Sequence, residues 1–66
     1  MNDVVIAAVE NDLIRLGLDG DREAAQQFGE LYLRRLDWER TQSERKWQEL
    51  LCEVEAAQSW LQRRRI

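Results

Sequence analysis

The sequence predicts an all-α fold built around one long helical segment. Residues 21–65 contain no proline and a single glycine, Gly29, and these are the two residue types that most weaken a helix. Apolar residues recur there and along residues 3–16 at spacings of three and four, which places them on one helix face. We therefore expect a helical hairpin, with a short helix over about 3–16, a turn at 17–20 and a long helix over about 21–64.

The first helix is predicted from one apolar stripe, formed by Ile6, Val9, Leu13 and Leu16. Gly17 follows the last stripe residue, so we expect the helix to stop there in a Schellman motif, with Leu18 packed back on Leu13. Asp19 or Asp21 then caps the second helix by accepting a backbone N–H. A connection this short makes the two helices antiparallel neighbours.

The long helix carries two apolar stretches that need different partners. The face of its first half consists of Ala24, Ala25, Phe28, Leu31, Tyr32 and Leu36. The first helix, about 21 Å long at about 1.5 Å per residue, covers this face and ends near Leu36. The second half has a stripe at heptad spacing, made of Trp47, Leu50, Val54, Ala57 and Leu61. We expect this stripe to pair two chains as a homodimer, a four-helix bundle with coiled-coil ends.

The segment between the two stretches decides between this architecture and a three-helix one. Arg40 and Ser43 occupy heptad core positions and interrupt the seam, and Thr41 with Glu44 fits a capping box that would begin a third helix. Against a break, residues 37–46 contain no glycine or proline, and opposite charges lie four residues apart through them. We adopt the continuous helix, and the alternative is a three-helix bundle with a break near 40–43.

The length allows one domain, residues 1–66, with a small core. Domains of this size bury only about 60% of their unfolded surface and are marginally stable alone. The single cysteine, Cys52, forms no disulfide within the chain, and there is no histidine for a zinc site. Association with another chain is the remaining remedy.

The composition points to the cytoplasm. The start of the chain carries acid instead of the basic residues of a signal peptide. No apolar segment approaches the roughly 18 residues that span a bilayer, so no membrane partner is expected. A single free cysteine suits a reducing compartment, and Cys52 beside the seam is interpreted as a half-buried packing residue.

No metal site, cofactor or catalytic residue is predicted. Asp19, Asp21, Glu23 and Glu30 have the spacing of ligands in a calcium loop, but Ala24 stands where that loop needs glycine. These acids are better interpreted as helix-start residues. The chain has no histidine and no glycine-rich phosphate loop, so an enzyme is not expected.

Nucleic-acid binding is an alternative that the charges disfavour. The net charge is −3, and acids at the start of the long helix would repel phosphate. The candidate docking residues for a protein partner combine aromatic rings with arginines, as binding hot spots do. They are Arg34, Arg35, Trp38, Trp60, Arg63 and Arg64. In the nucleic-acid alternative, phosphate would be contacted by Arg34, Arg35 and Arg45 or by the cluster Arg63 to Arg65, each doubled in a dimer.

The layout resembles that of small helical-hairpin regulators, such as plasmid copy-control dimers and phage-encoded host modulators. The resemblance is one of architecture, rests on no shared motif and transfers no residue roles. The expected function is that of a small non-enzymatic interaction module, a homodimeric adaptor or inhibitor of a partner protein. A structural coiled-coil assembly subunit is a further alternative.

Overall fold

The chain folds into three helices packed side by side. The computed structural model describes residues 3–64, in which α1 spans Asp3–Leu18, α2 spans Arg22–Thr41 and α3 spans Glu44–Arg64. The second helix packs against both of the others, and the bundle measures 35 × 19 × 16 Å. The prediction of an all-α fold is confirmed.

The continuous long helix predicted over residues 21–64 is wrong, because the chain breaks at Gln42 and Ser43. Gln42 takes a left-handed conformation, with φ 54° and ψ 26°, and its N–H donates to the carbonyl of Trp38 at 2.7 Å. The three-helix alternative, with a break near 40–43, describes the structure. The capping box of Thr41 with Glu44, which the sequence offered in support of that alternative, does not form, since Thr41 is the last residue of α2 and its hydroxyl donates to the carbonyl of Asp37.

Tertiary contacts across the break explain why the helix turns back. The rings of Trp38 and Trp47, one on each side of the turn, lie with their centroids 4.9 Å apart. The Lys46 ammonium lies 3.0 Å from a carboxylate oxygen of Asp37. These contacts exist only in the folded-back chain, and they offset the cost of about 1–2 kcal/mol of a left-handed residue other than glycine.

The end of α1 lies beyond the predicted stop at Gly17. The Schellman motif forms around Gly20, whose φ is +100° and whose N–H donates to the carbonyl of Gly17 at 3.0 Å. The N–H of Asp21 completes the motif by donating to the carbonyl of Leu16 at 3.0 Å. Leu18 is 83% exposed and does not pack back on the helix. The early stop is therefore wrong by about half a turn.

Asp21 caps α2, as predicted. Its Oδ1 accepts a hydrogen bond of 3.1 Å from the N–H of Ala24, and its other oxygen pairs with the guanidinium of Arg64 at the end of α3. Next to this pair, the indole N–H of Trp60 donates to Glu23 at 2.8 Å. The start of α2 is thereby tied to the end of α3.

The core lies between the three helices. Its fully buried apolar residues are Ile6, Val9 and Leu13 from α1, Ala24 and Leu31 from α2, and Leu50, Val54, Ala57 and Leu61 from α3. The α3 stripe that was predicted to pair two chains is thus covered within one chain. Helices α1 and α2 supply the partner that was predicted to come from a second molecule.

Candidate functional site

A group of apolar residues on neighbouring turns lies on the outer face of α2. This group, here called the outer strip, consists of the exposed Ala25, Tyr32, Leu33 and Leu36 and the partly exposed Gly29. At about 100° per residue, the centre of the outer strip lies roughly 140° around the helix from the buried Leu31. Tyr32 is 39% exposed, Leu33 66% and Leu36 40%. Such apolar side chains, adjacent on one helix, are typical of an interaction surface.

Gly29 lies at the centre of the outer strip, and the fold itself does not require a glycine there. A Cβ at this position would meet no atom within 4 Å. A glycine in a helix interior destabilises the helix by about 0.5–1 kcal/mol relative to alanine. The position is therefore suited to the close approach of a backbone from outside the chain.

Gly17 provides the contrast, because its small size is used inside the fold. A Cβ at Gly17 would lie 3.4 Å from the Cβ of Ala25, so α1 and α2 approach closely there. This contact and the 2.8 Å pair between Glu10 and Arg35 fix the antiparallel register of the two helices. In that register Ile14, which is 39% exposed, lies level with Gly29 and extends the apolar surface onto α1.

Aromatic stacking and a cation fix the edge of the outer strip that faces α1. The rings of Phe28 and Tyr32 stack with their centroids 5.8 Å apart, and the guanidinium of Arg35 lies 5.3 Å from the centroid of Tyr32. Arg35 is itself held by Glu10 and by Glu39, and these carboxylates raise its pKa, chiefly through the hydrogen bond to Glu10. Tyr32 is therefore a positioned ring at the surface.

Charged residues of opposite sign mark the two ends of the outer strip. Arg22 lies one turn before Ala25, and among the described residues no ion pair is formed by its guanidinium. Glu39 lies about one turn after Leu36, is exposed, and touches Arg35 at 3.3 Å. The outer strip thus runs from a positive end to a negative end.

The arginines predicted to dock a partner are mostly engaged within the chain. Arg34 donates to Glu49 of α3 at 3.1 Å, and Arg35 holds Glu10 of α1 at 2.8 Å. Arg64 lies over the ring of Trp60, 4.6 Å from its centroid, and also pairs with Asp21. Arg63 is exposed on α3. The structure does not bring these arginines together into one basic surface.

The predicted tryptophans lie at the two ends of the α2–α3 pair. Trp38 and Trp47 are half-buried against each other at the turn, and Trp60 is half-buried at the opposite end, where it donates to Glu23. Both ends pack against the core. The docking role predicted for Trp38 and Trp60 stays a prediction, and each ring already contributes to the packing of α2 on α3.

Cys52 is exposed on α3, so its interpretation as a half-buried packing residue is wrong. Its position follows from the burial of Leu50 and Val54. Cys52 is two residues from each of them, and a residue two positions away lies on the opposite side of a helix. Within residues 3–64, no cluster of three or more histidine, cysteine, aspartate or glutamate side chains is arranged to hold a metal ion. No helix in that range is both long and apolar enough to cross a bilayer.

Comparison of the chain with protein-family models, with curated proteins and with solved structures found no match in any of the three. The interpretation of the site therefore depends on the geometry of this chain.

A second apolar seam in the sequence of α2 indicates the outer strip. Apolar residues of α2 occupy two seams, one that includes Ala24, Phe28 and Leu31, and one that includes Ala25, Gly29, Tyr32 and Leu36. The two seams together span an arc wider than a single neighbouring helix covers. The sequence-based prediction placed the apolar residues of both seams on a single face toward the first helix, and it did not include Leu33. These residues are Ala24, Ala25, Phe28, Leu31, Tyr32 and Leu36.

Proposed function

We propose that this protein is a small non-enzymatic interaction module that binds a helix of another polypeptide chain along its outer strip. The observation that carries the proposal is the combination of exposed Tyr32, Leu33 and Leu36 with a helix-interior glycine, Gly29, that the fold leaves open. An exposed face of this kind on α2 suits helix–helix packing of the coiled-coil type, in which apolar anchors repeat at spacings of three and four.

The surroundings of the outer strip support a docking function. Tyr32 is fixed in place by Phe28 and Arg35, so little side-chain entropy is lost when a partner covers its ring. Aromatic residues with a neighbouring arginine are frequent in the energetic centres of protein interfaces. A module that binds in this way acts as an adaptor or as a modulator of the protein whose surface it occupies.

A capture experiment tests the proposal with a matched pair of variants. Leu33→Glu places a charge in the outer strip, while Val4→Glu places the same charge on α1, where Val4 is 81% exposed on the side that faces α3. Both variants should keep the helical circular dichroism of the wild type, since neither position is in the core.

Immobilised wild-type protein and the two variants are each incubated with a lysate of the source cells to which a differently tagged copy of the chain is added. We expect at least one bound protein, whether that copy or another chain, to be retained by the wild type and by Val4→Glu and to be lost with Leu33→Glu. The same bound proteins on all three would contradict a docking function for the outer strip.

A further inference from the structure

The outer strip of α2 is self-complementary. Four residues of the outer strip, Ala25, Gly29, Tyr32 and Leu36, fall at heptad core positions. The charged residues at its two ends, Arg22 and Glu39, continue the same series, and Leu33 flanks it next to Tyr32. The order along the helix is a charge, two small residues, two large apolar residues and the opposite charge. When a second copy of α2 lies antiparallel to the first, each half of this series meets the other half.

From this complementarity we infer that the occupant of the outer strip is a second copy of the chain, packed α2 to α2 about a two-fold axis. This inference rests on the proposed function, because it names the partner that the docking surface takes. The axis passes between residues 30 and 31. Residues at equal distances before and after this point therefore face each other across the pair, and an a position of one copy meets a d position of the other, as antiparallel heptads require.

The layers of this pairing match large residues with small ones. Gly29 of one copy lies opposite Tyr32 of the other, and Ala25 lies opposite Leu36. Each match occurs twice because the interface is two-fold symmetric. The exposed ring of Tyr32 thereby fills the space that Gly29 leaves open, and the two helices can approach closely.

The charges select the same direction. In the antiparallel pair Arg22 of one copy faces Glu39 of the other, at both ends of an interface that spans about 26 Å along the helix. A parallel pair would place Arg22 against Arg22 and Glu39 against Glu39, and it would leave the two Gly29 residues facing an unfilled gap. Like charges in contact disfavour the parallel pair.

Disulfide trapping tests the direction and the register. Two proteins are made in a Cys52→Ser background, one with Arg22→Cys and one with Glu39→Cys, and the two are mixed, refolded together and oxidised. We expect a covalent dimer in the mixture, because a disulfide needs Cα atoms within about 7 Å. Each protein oxidised alone should give none, because its own two thiols lie more than about 20 Å apart along the antiparallel pair.

A mixture of Arg63→Cys with Glu39→Cys is the control for random collision, since Arg63 lies on α3. Covalent dimers from a single variant alone would indicate a parallel pair and overturn the inference. A yield in the test mixture no higher than in this control mixture would overturn it as well.

Charge reversal provides the second test, read as the dissociation constant by sedimentation equilibrium. Arg22→Glu alone and Glu39→Lys alone should each weaken self-association at least about tenfold, because each change creates two like-charge contacts. The double variant should recover to within about threefold of the wild type. Arg63→Glu makes the same charge change outside the outer strip and should leave the constant unchanged.

The outcomes separate this inference from the proposed function. A wild-type chain that stays monomeric, or a double variant that does not recover, overturns the self-pairing. The proposed function fails separately, if the Leu33→Glu protein captures the same proteins as the wild type and Val4→Glu, the tagged copy included. A monomeric wild type whose foreign partner is lost with Leu33→Glu would mean that the outer strip binds a helix of another protein instead.

Discussion

The indole rings of Trp38 and Trp47 lie with their centroids 4.9 Å apart, on opposite sides of the turn at Gln42. The two residues belong to α2 and α3, and their contact forms only when α3 folds back along α2. This return brings the apolar stripe of α3 onto the core, and it leaves the outer strip of α2 as the exposed apolar face.

Gln42→Gly should stabilise the protein by about 1 kcal/mol, because glycine adopts the left-handed conformation of this residue without a Cβ penalty. For a domain of this size the melting temperature should rise by about 4–8 °C. Gln42→Val should lower it, since a β-branched residue is poorly tolerated there. Thermal denaturation followed by circular dichroism measures both. If α2 and α3 were one continuous helix, glycine would instead destabilise it by about 1 kcal/mol.

The pair formed by Lys46 and Asp37 should make stability depend on pH at both extremes. The hydrogen bond from Lys46 lowers the pKa of Asp37 below 3.8, and Asp37 raises the pKa of Lys46 above 10.5. A carboxyl whose pKa falls on folding stabilises fully above its unfolded-state pKa, and this contribution is lost as the pH falls through the folded-state pKa. An ammonium whose pKa rises stabilises fully below its unfolded-state pKa and loses this contribution as the pH rises through the folded-state pKa.

The measurement is the difference in melting temperature between the wild type and Asp37→Asn across the pH range. The difference should be greatest between about pH 5 and pH 9, and it should shrink toward both extremes. It should also shrink in about 1 M salt, which screens exposed charges. A difference that is independent of pH would show that Asp37 acts by packing instead of by charge.

The helix cap formed by Asp21 should contribute more to stability than the ion pair of Asp21 with Arg64. Asp21→Ala removes the acceptor for the N–H of Ala24 and should cost about 1–2 kcal/mol in urea denaturation. Asp21→Asn keeps an oxygen at the cap and loses the ion pair, so it should cost less than about 1 kcal/mol. Equal losses from the two substitutions would place the main contribution in the ion pair.

Gly29→Ala should have opposite effects on folding and on self-association. In a Leu33→Glu background, where pairing is blocked, the added methyl meets no neighbour and should stabilise the helix by about 0.5–1 kcal/mol. In the otherwise wild-type chain the same methyl should weaken pairing, because it fills the space opposite Tyr32 of the other copy. Urea denaturation measures the first effect and sedimentation the second. Stabilisation without weaker pairing would contradict the close approach at Gly29.

Much of the fold followed from local patterns in the sequence. The stripes of α1 and α3 are buried largely as their spacings indicate, with Leu13 and Leu50 among the least exposed residues. Asp21 caps α2 because its side-chain oxygen accepts a backbone N–H that has no partner within the first turn of the helix. These features depend on residues close together in the chain, which is why periodicity and capping rules were sufficient.

The same rules left the break at Gln42 as an alternative, because Arg40 and Ser43 interrupt the heptad seam but other local signals favour a continuous helix. The neighbourhood of Gln42 contains helix-forming residues and opposite charges spaced four apart, and two of those pairs, Arg35 with Glu39 and Arg45 with Glu49, do form. Arg40 and Glu44, which are also four residues apart, do not pair, and Arg40 holds Asp37 instead. Contacts between α2 and α3 outweigh the local preference, and only the folded chain makes them.

The exposure of the outer strip was not predicted from the sequence for a related reason. Tyr32 and Leu36 were assigned to the face that the first helix covers, since a hairpin offers no other place for them. Once α3 also packs against α2, the core face of α2 centres on Leu31, and those two residues lie on the outside. The arrangement of three helices therefore decides which apolar residues remain available for docking.

The pairing of α2 with α2 of a second copy is best tested by the molar mass of the wild type and of Leu33→Glu in solution. Light scattering across a hundredfold range of concentration should show the wild type rising from monomer to dimer and stopping there, since a two-fold interface closes on itself. Leu33→Glu should stay monomeric and fully helical throughout. A wild type that remains monomeric at every concentration, or a Leu33→Glu protein that dimerises like the wild type, would contradict pairing through the outer strip.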